Sequence, residues 1–300
     1  MIVISGSVIV YSFGFGIVTA SILALGAVGF TLQFGVTNIL NLAFGDIMTS
    51  AAVVGYGVNL IGGNIAESLA AGAVFGAITS MLLNRYLYTP FVRRGTKLFG
   101  MVVVTLSVGI IFQNVVLGWL GPNFFSYKLP QSKTYDVAGM FFTSIQFTII
   151  GLAVGVMIAV QLLLSKTRLG KAMRATAANP GLAQASGIAT DRVIDAAWLI
   201  SGTLCGLSGV VLVLNTTAFQ STTGNDFLVI IIAAAMLGGV GRPLGALIGA
   251  VILGVVTEVS AAYMSPSYKE VIAFVVLVVV LLVRPGGLFG NADAVRSANA

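Results

Sequence analysis

Polar side chains interrupt an apolar stretch near the start of the chain. Asn38, Asn41 and Asp46 lie within GVTNILNLAFGDIMTS, and Gln33 stands just before it. A carboxylate at bilayer depth is costly and usually faces a cavity. We therefore expect Asn38, Asn41 and Asp46 to line or gate a pathway for a polar solute. As an alternative, Asp46 caps a helix that begins at Ile47, where the helix dipole stabilises its charge.

Catalytic and metal-binding residue patterns are scarce in this sequence. It contains no histidine and a single cysteine, Cys205, which removes His-based catalysis, His metal ligands and a disulfide framework. The only Gly-Lys step, Gly170-Lys171, lacks the upstream glycine and the following Ser or Thr of a phosphate-binding loop. We expect no enzymatic activity, no cofactor and no metal. If ATP drives this protein, another polypeptide must hydrolyse it.

The composition is that of an integral membrane protein. Of the 300 residues, 58% are hydrophobic and 8% are charged, and the mean hydropathy is +1.05. Soluble domains have about 25% charged residues. The apolar runs fit a bilayer core as helices of roughly 20 residues and lack the alternation of β-barrel strands. We predict an all-α polytopic membrane protein of about eight to ten transmembrane helices.

The order of apolar runs predicts roughly nine crossings, of which the second is broken by polar residues. Basic loops place the N-terminus outside and the C-terminus inside the cell. Residues 1–290 then form one transmembrane domain, and residues 291–300 form a short cytoplasmic tail. The predicted spans are Ser7–Leu32, Gly35–Leu60 (broken), Ala66–Leu83, Leu98–Leu120, Phe141–Leu164, Val193–Leu214, Phe227–Gly239, Leu244–Tyr263 and Val271–Val283.

The loop between the fifth and sixth spans, Ser165–Arg192, is rich in positive charge and yet favours helix. We expect Leu169–Ala178 to continue the fifth span into the cytoplasm, Thr190 and Asp191 to cap the sixth span, and Leu182 and Ile188 to be exposed. Asn179 is a good N-cap, Pro180 suits the first helical position, and Gly187 suits the position after the C-cap. A two-turn helix is unstable alone in water, so it must pack against something. Lipid headgroups are one candidate, and a groove on a cytoplasmic partner that receives exposed side chains such as Leu182 is the other.

Four stretches together resemble one family. GKAMRATAANPGLAQASGIATDRV resembles the cytoplasmic coupling loop of ABC-importer permeases of the branched-chain amino acid type. GVTNILNLAFGDIMTSAA, AAAMLGGVGRPLGALIGAVILGVVTE and YKEVIAFVVLVVVLLVRPGGLFG resemble further segments of the same family in the same order. One departure is that Phe44 and Asp46 stand where family members commonly have His and Glu.

The resemblance implies a membrane-spanning permease subunit in a prokaryotic cell (inner) membrane. It implies two cytoplasmic ATPase subunits that bind the ATP, an extracytoplasmic solute-binding protein, and a second permease, either homologous or an identical copy. The solute would be branched-chain amino acids or a similar small polar molecule. The residues to which the resemblance assigns ATPase coupling are Asn179, Pro180, Leu182, Ala183, Gly187 and Ile188.

An ion-coupled secondary transporter or channel is the alternative function. It would need a coupling-ion site, for which Asp46 and Glu258 are few and isolated carboxylates. The position of Glu258, late in a span, is compatible with either the outer interface or a cavity. Glycine pairs spaced by four residues, such as Gly72/Gly76 and Gly202/Gly206, predict close packing between helices.

Overall fold

The computed structural model describes residues 6–129, 133–137, 139–284 and 286–289. Helix dominates these residues, with a π-helical turn at Leu83–Tyr88 and a 3-10 turn at Pro266–Tyr268 as additional pieces. The α-helices are α1 Gly6–Thr37, α2 Phe44–Leu60, α3 Ile65–Leu82, α4 Thr89–Arg93, α5 Leu98–Leu120, α6 Ser144–Lys166, α7 Arg168–Ala178, α8 Pro180–Ala185, α9 Thr190–Thr216, α10 Thr223–Gly238, α11 Pro243–Ala261 and α12 Lys269–Val283.

The described residues include seven helical segments that are long and apolar enough to cross a membrane. The helices α2 and α10 are shorter, with 17 and 16 residues. At 1.5 Å per residue each reaches about 25 Å, which is less than a hydrocarbon core of about 30 Å. The predicted fold class, an all-α polytopic membrane protein, is confirmed. The predicted sidedness of the termini stays a prediction.

Several predicted boundaries are wrong where helices run on. The first helix continues to Thr37 rather than ending at Leu32. The segment NRYLYTPFVRR, predicted as a loop, continues the third span as the π-helical turn and α4. Pro90 does not stop it, because the π-helical turn Leu83–Tyr88 directly precedes α4, and such a turn locally changes the hydrogen-bond ladder that a proline would otherwise interrupt. By contrast, α5 coincides with its predicted bounds, Leu98–Leu120.

A short β-hairpin precedes α6 and was not expected from the sequence. Strand β1, Thr134–Val137, pairs antiparallel with β2, Met140–Thr143. Consequently α6 begins at Ser144 rather than at Phe141. The turn is tightened by Asp136, whose carboxylate accepts a hydrogen bond of 2.9 Å from the Gly139 amide.

The polar interruption separates α1 from α2 and occupies residues 38–43. Asn38 adopts a positive φ of 53°, a conformation that Asn tolerates better than most residues. The helix then begins at Phe44 and not at Ile47, and its N-cap is Ala43, which offers no capping side chain. The alternative in which Asp46 caps the helix is therefore wrong. Asp46 lies inside the first turn of α2.

The helix α2 begins beside the middle of α9. The Cys205 thiol donates a hydrogen bond of 3.2 Å to the Phe44 carbonyl oxygen, and Gly209 lies against the backbone of Met48. Cys205 is near the midpoint of α9, which has 27 residues and is one of the spanning helices. The start of α2 therefore lies beside the middle of a spanning helix, and the predicted membrane depth of the interruption stays a prediction.

The chain divides into two compact units. One contains Gly29–Lys128 and Ile158–Leu228, and its core is α2, α3 and α9. Gly72 and Gly76 lie directly against Gly206 and Gly202, so the backbones of α3 and α9 touch. The glycine spacing predicts this contact correctly. An added Cβ would collide with backbone atoms at Gly76, Gly202 and Gly206, and with the Val210 side chain at Gly72.

The other unit contains Met1–Val28, Leu129–Met157 and Val229–Ala300. Glu258 of α11 accepts a hydrogen bond of 2.6 Å from the Lys269 ammonium group and one of 2.8 Å from the Thr19 hydroxyl. Its side chain is only 16% exposed. Glu258 thus links α11 to α1 and to the start of α12. The prediction of one permease domain over residues 1–290 stays a prediction, and the predicted tail 291–300 lies outside the described residues.

Gly206→Ala should destabilise the protein, because the added Cβ meets the Gly72 carbonyl group. Overpacking of this kind costs about 1–3 kcal/mol. The free energy of unfolding in detergent checks the prediction. Gly155→Ala is the matched control in α6, since no described atom lies within 4 Å of its added Cβ and alanine improves helix propensity by up to about 1 kcal/mol. Equal stabilities of the two variants would contradict the contact.

Candidate functional site

The short helix α8 has the end signals that the sequence predicts. The Asn179 side-chain oxygen accepts a hydrogen bond of 3.0 Å from the Leu182 amide, and Pro180 is the first helical residue. At the other end Gly187 has a φ of +83°, in the left-handed region that glycine adopts without strain. The Asn-Pro start and the Gly end therefore fix both the length and the direction of this helix.

The two faces of α8 differ. Ala183 is buried at 4% exposure, whereas Leu182 is 66% exposed. Ile188, expected to be exposed, is half-buried. Its amide bonds to the Ala183 carbonyl at 3.1 Å, and the Gly187 amide bonds to the Gln184 carbonyl at 3.0 Å. This is the Schellman arrangement, which folds the residue after the glycine back onto the helix. Leu182 is thus the large apolar side chain that α8 presents outward.

The elements on either side of α8 depart from the sequence-based expectation. The helix α7 is separate from α6 instead of extending it. Thr167 caps it by accepting a hydrogen bond of 3.1 Å from the Gly170 amide, and the Arg174 guanidinium donates to the Leu164 carbonyl. The helix α9 begins after Ala189 without a side-chain cap, so the expected capping by Thr190 and Asp191 is wrong.

Asp191 instead pairs with a residue of α4. Its carboxylate lies 3.0 Å from the Arg93 guanidinium, and both side chains are mostly exposed, at 73% and 68%. An exposed pair contributes at most about 1 kcal/mol. One turn further along α9, the Asp195 carboxylate accepts a hydrogen bond of 2.9 Å from the Asn84 side-chain amide. It also lies 3.9 Å from the Arg85 guanidinium. These contacts tie the start of α9 to the end of the third span.

A cavity of about 560 Å³ lies beside these pairs. It is bounded by the end of α1, the π-helical turn and α4, the start of α9, and α8. Asn38 and Pro180 both line it. The structure therefore brings one predicted pathway residue and one predicted coupling residue to the same cavity. The remaining lining residues are Val36, Thr37, Ile39, Asn84, Arg85, Tyr86, Thr89, Val92, Arg93, Asp191, Ile194, Asp195 and Pro90.

Asn41 lies in a different environment, a fully buried polar network. Its amide nitrogen donates to the Gln33 side-chain oxygen at 3.5 Å, and its own oxygen accepts from the Tyr88 hydroxyl at 3.4 Å. The same Gln33 oxygen accepts from the Ser201 hydroxyl at 3.2 Å. The Tyr88 ring packs on Trp198 with centroids 5.1 Å apart. This network closes the space between α1, α9 and the π-helical turn in the described conformation.

Asp46 lies neither at the cavity nor in the Asn41 network. It is 5% exposed, and among the described residues its Oδ1 atom has no hydrogen-bond partner. The other oxygen lies where a side chain at Gly109 of α5 would be. The three predicted pathway residues therefore do not form one site. Asn38 lines the cavity, Asn41 belongs to the buried network, and Asp46 is buried where α2 meets α5.

Tertiary structure adds residues that the sequence did not single out. Trp198 stands in an apolar helical run and Tyr88 in the segment predicted as a loop, and nothing in the sequence distinguishes either from an ordinary packing residue. Asp191 and Asp195 carry a usable signal, since they are spaced by four on one helix and oppose a basic segment predicted on the same side of the membrane.

A second missed cluster connects two loops at the opposite end of α9. Phe125 and Phe219 form an isolated β-bridge, and the Tyr127 hydroxyl donates a hydrogen bond of 2.6 Å to the Ala52 carbonyl. Burial raises the pKa of Tyr127 above its usual range, so the phenol stays protonated and remains a donor. The Asn59 side chain exchanges two hydrogen bonds with the Lys128 backbone, at 2.7 and 3.3 Å.

Comparison with known proteins gives a consistent relationship. The family described as branched-chain amino acid transport system, permease component, matches residues 12–281. The high-affinity branched-chain amino acid transport system permease protein LivH of Salmonella typhimurium is 29% identical over 295 residues, covering 93% of this chain and 94% of its own. The ribose import permease protein RbsC of Escherichia coli is 26% identical, covering 88% and 82%.

A solved structure supports the fold. PsaBC from Streptococcus pneumoniae in complex with Fab matches over 92% of each chain with a TM-score of 0.51 at 14% identity, a likeness that concerns the fold alone. With its long apolar helices, this protein is a multi-pass protein of the cell membrane. Since the family match spans nearly the whole sequence, the chain belongs to the family of branched-chain amino acid transport system permeases.

Proposed function

We propose that this chain is the permease subunit of an ATP-driven importer that moves branched-chain amino acids, or a similar small polar solute, into the cytoplasm. The observation that carries the proposal is the family match over residues 12–281. The chain itself binds no cofactor in this proposal. Its partners are two cytoplasmic ATPase subunits that bind ATP, an extracytoplasmic solute-binding protein, and a second permease that is homologous or identical to it.

Energy reaches the membrane through α8. In this mechanism α8 lies in a groove on the ATPase, with Leu182 as its apolar anchor, which is a helix-in-groove mode of recognition. Closure of the ATPase pair on ATP moves α8, and α7 and α9 move with it because they join it directly. The α9 start is tied to the third span through Asp195 and Asn84. Movement of α8 therefore changes the cavity that Asn38 and Pro180 share.

Asn38, Asn41 and Asp46 mark the proposed solute pathway. Asn38 lies at the cavity, and Asn41 belongs to the network that closes the space beyond it. Opening toward the cytoplasm requires that this network separate, which exposes the amide groups of Gln33 and Asn41 to a passing polar solute. Its bonds are long, at 3.4 to 3.5 Å for the two that Asn41 makes, and so are easily exchanged.

Two measurements test the proposal as a whole. The permease is reconstituted in vesicles with the ATPase, binding protein and second permease encoded by its neighbouring genes, and leucine and ribose uptake are compared. We expect leucine uptake that requires ATP on the side of the vesicle membrane where the ATPase subunits lie. Uptake that follows an ion gradient and ignores ATP would establish the ion-coupled alternative. ATP-dependent uptake of ribose alone would keep the importer and overturn the solute class.

Leu182→Asp should abolish coupled uptake and leave the membrane fold intact. A charge at the anchor cannot enter an apolar groove without losing its hydration. We expect at least about a tenfold loss of uptake, equivalent to about 1.4 kcal/mol or more, with normal detergent-purified yield. Gln184→Asp is the matched control, since Gln184 is also exposed on α8 but is not apolar. Equal uptake by the two variants would mean that Leu182 does not anchor α8.

Asn179→Ala should weaken coupling by loosening the start of α8. Loss of an N-cap side chain costs about 0.5–2 kcal/mol, which is large for a helix of six residues. We expect solute-stimulated ATPase activity to fall while the basal activity of the ATPase subunits is retained. Asn179→Asp restores an oxygen that can accept the Leu182 amide and should restore most of the stimulation. Failure of Asp to do better than Ala would show that the cap is not what matters.

A further inference from the structure

Asp46 is a buried carboxylate without a counter-charge. No lysine or arginine of the described residues forms an ion pair with it, and its Oδ1 atom has no hydrogen-bond partner among them. Burial of an unpaired charge is costly. The first-turn position in α2 offsets part of this cost, because the positive end of the helix dipole favours a carboxylate there. The described residues thus supply no cation to this carboxyl group.

The surroundings of Asp46 are a junction between two helix beginnings. Gly45 lies against the backbone of Gly224 and Asn225, and the Gly224 amide donates a hydrogen bond of 2.9 Å to the Thr49 hydroxyl. The starts of α2 and α10 therefore meet, and the contact of Phe44 with Cys205 places them near the middle of the spanning helix α9. In other transporters, solute sites lie near the midplane where short or interrupted helices begin.

The room around the carboxylate is kept by a small residue. Gly109 of α5 faces Asp46, and any side chain at Gly109 would collide with the Asp46 Oδ2 atom. Oδ2 therefore lies at the interface between α2 and α5, and Oδ1 is buried without a donor among the described residues. A buried carboxyl group whose oxygen accepts no hydrogen bond from the protein can still accept one from a ligand.

The surroundings of Asp46 favour an ammonium group over a divalent metal ion as its ligand. A divalent metal requires several oxygen, nitrogen or sulfur ligands, and the described residues contain no group of three or more His, Cys, Asp or Glu side chains that could hold one. An ammonium group is monovalent and donates three hydrogen bonds, so one carboxylate with nearby carbonyl or hydroxyl oxygens suffices. Ammonium is also the group that an amino acid has and a sugar lacks.

We propose that Asp46 binds the α-ammonium group of an amino-acid solute as the solute passes the junction of α2 and α10. This inference rests on the proposed function and adds to it the residue that distinguishes an amino acid from an uncharged polar solute. Asn38 and Asn41 carry no charge and cannot make this distinction. The described conformation encloses Asp46, so the group becomes accessible during the transport cycle rather than at rest.

The test uses the purified permease with its second permease and ATPase subunits, without the binding protein, so that only the membrane site selects. Binding of radiolabelled leucine is measured in competition with isoamylamine, which has the ammonium group alone, and 4-methylpentanoate, which has the carboxylate alone. In the wild type we expect isoamylamine to compete better. In Asp46→Asn we expect leucine affinity to fall at least about tenfold and the preference for isoamylamine to disappear.

Two further variants guard against a merely structural effect. Asp46→Glu retains the charge and should retain the preference for isoamylamine, even with weaker binding. Glu270→Gln removes a carboxylate from the first turn of another helix, α12, where it is exposed, and should bind leucine as the wild type does. Assembly with the ATPase subunits is confirmed for each variant by size-exclusion chromatography.

The outcomes separate this inference from the proposed function. Undiminished leucine binding by Asp46→Asn, or reduced binding with an unchanged preference for isoamylamine, overturns the role of Asp46 while wild-type uptake of leucine keeps the importer. Wild-type uptake of ribose without leucine overturns the solute class and this inference together. Loss of both leucine affinity and amine preference in Asp46→Asn, with the preference kept in Asp46→Glu, supports it.

Discussion

The backbone contact between α3 and α9 is the constraint on which the larger unit depends. Lipid provides no hydrophobic drive for helices to associate, so they gain stability from close packing and from interhelical hydrogen bonds. Gly72 and Gly76 meet Gly206 and Gly202 with no side chain between them. Because α3 holds α9 closely, both ends of α9 have fixed partners. Asp195 near its start bonds to Asn84, and Phe219, just after its end, pairs with Phe125.

The interruption after α1 depends on that fixed helix. A non-helical backbone at membrane depth is tolerated only where protein buries it or where it lines a cavity. Here α9 supplies the burial: its Ser201 hydroxyl reaches Gln33 and its Cys205 thiol reaches Phe44. These contacts lie on either side of the interruption, and within it the Asn41 side chain bonds to Gln33 and Tyr88. Asp46, which follows in the first turn of α2, differs from them because its buried Oδ1 atom has no hydrogen-bond partner among the described residues.

The proposed role of α8 depends on the same rigidity. Six residues cannot hold a helical form by propensity, so α8 depends on Asn179 at its start, on the bonds around Gly187 at its end, and on the buried Ala183. Its neighbours are close along the chain, since α9 begins within a few residues. In the proposed mechanism, a force on Leu182 is passed to α9, and from α9 to the third span and the cavity.

The sequence by itself determined the class of the protein and the local form of α8. Charge scarcity and the lengths of the apolar runs establish a helical membrane protein, and Asn-Pro and Gly predict the ends of α8, because these are effects of composition and of neighbouring residues. The continuation of α3 into α4 was missed because a proline in a polar, basic segment is typical of a helix break. Only the tertiary structure decided that Asn38, Asn41 and Asp46 have separate environments, that Ile188 folds back, and that Glu258 pairs with Lys269. These outcomes depend on which helices become neighbours, and in lipid that choice is made by backbone contacts between segments far apart in the chain.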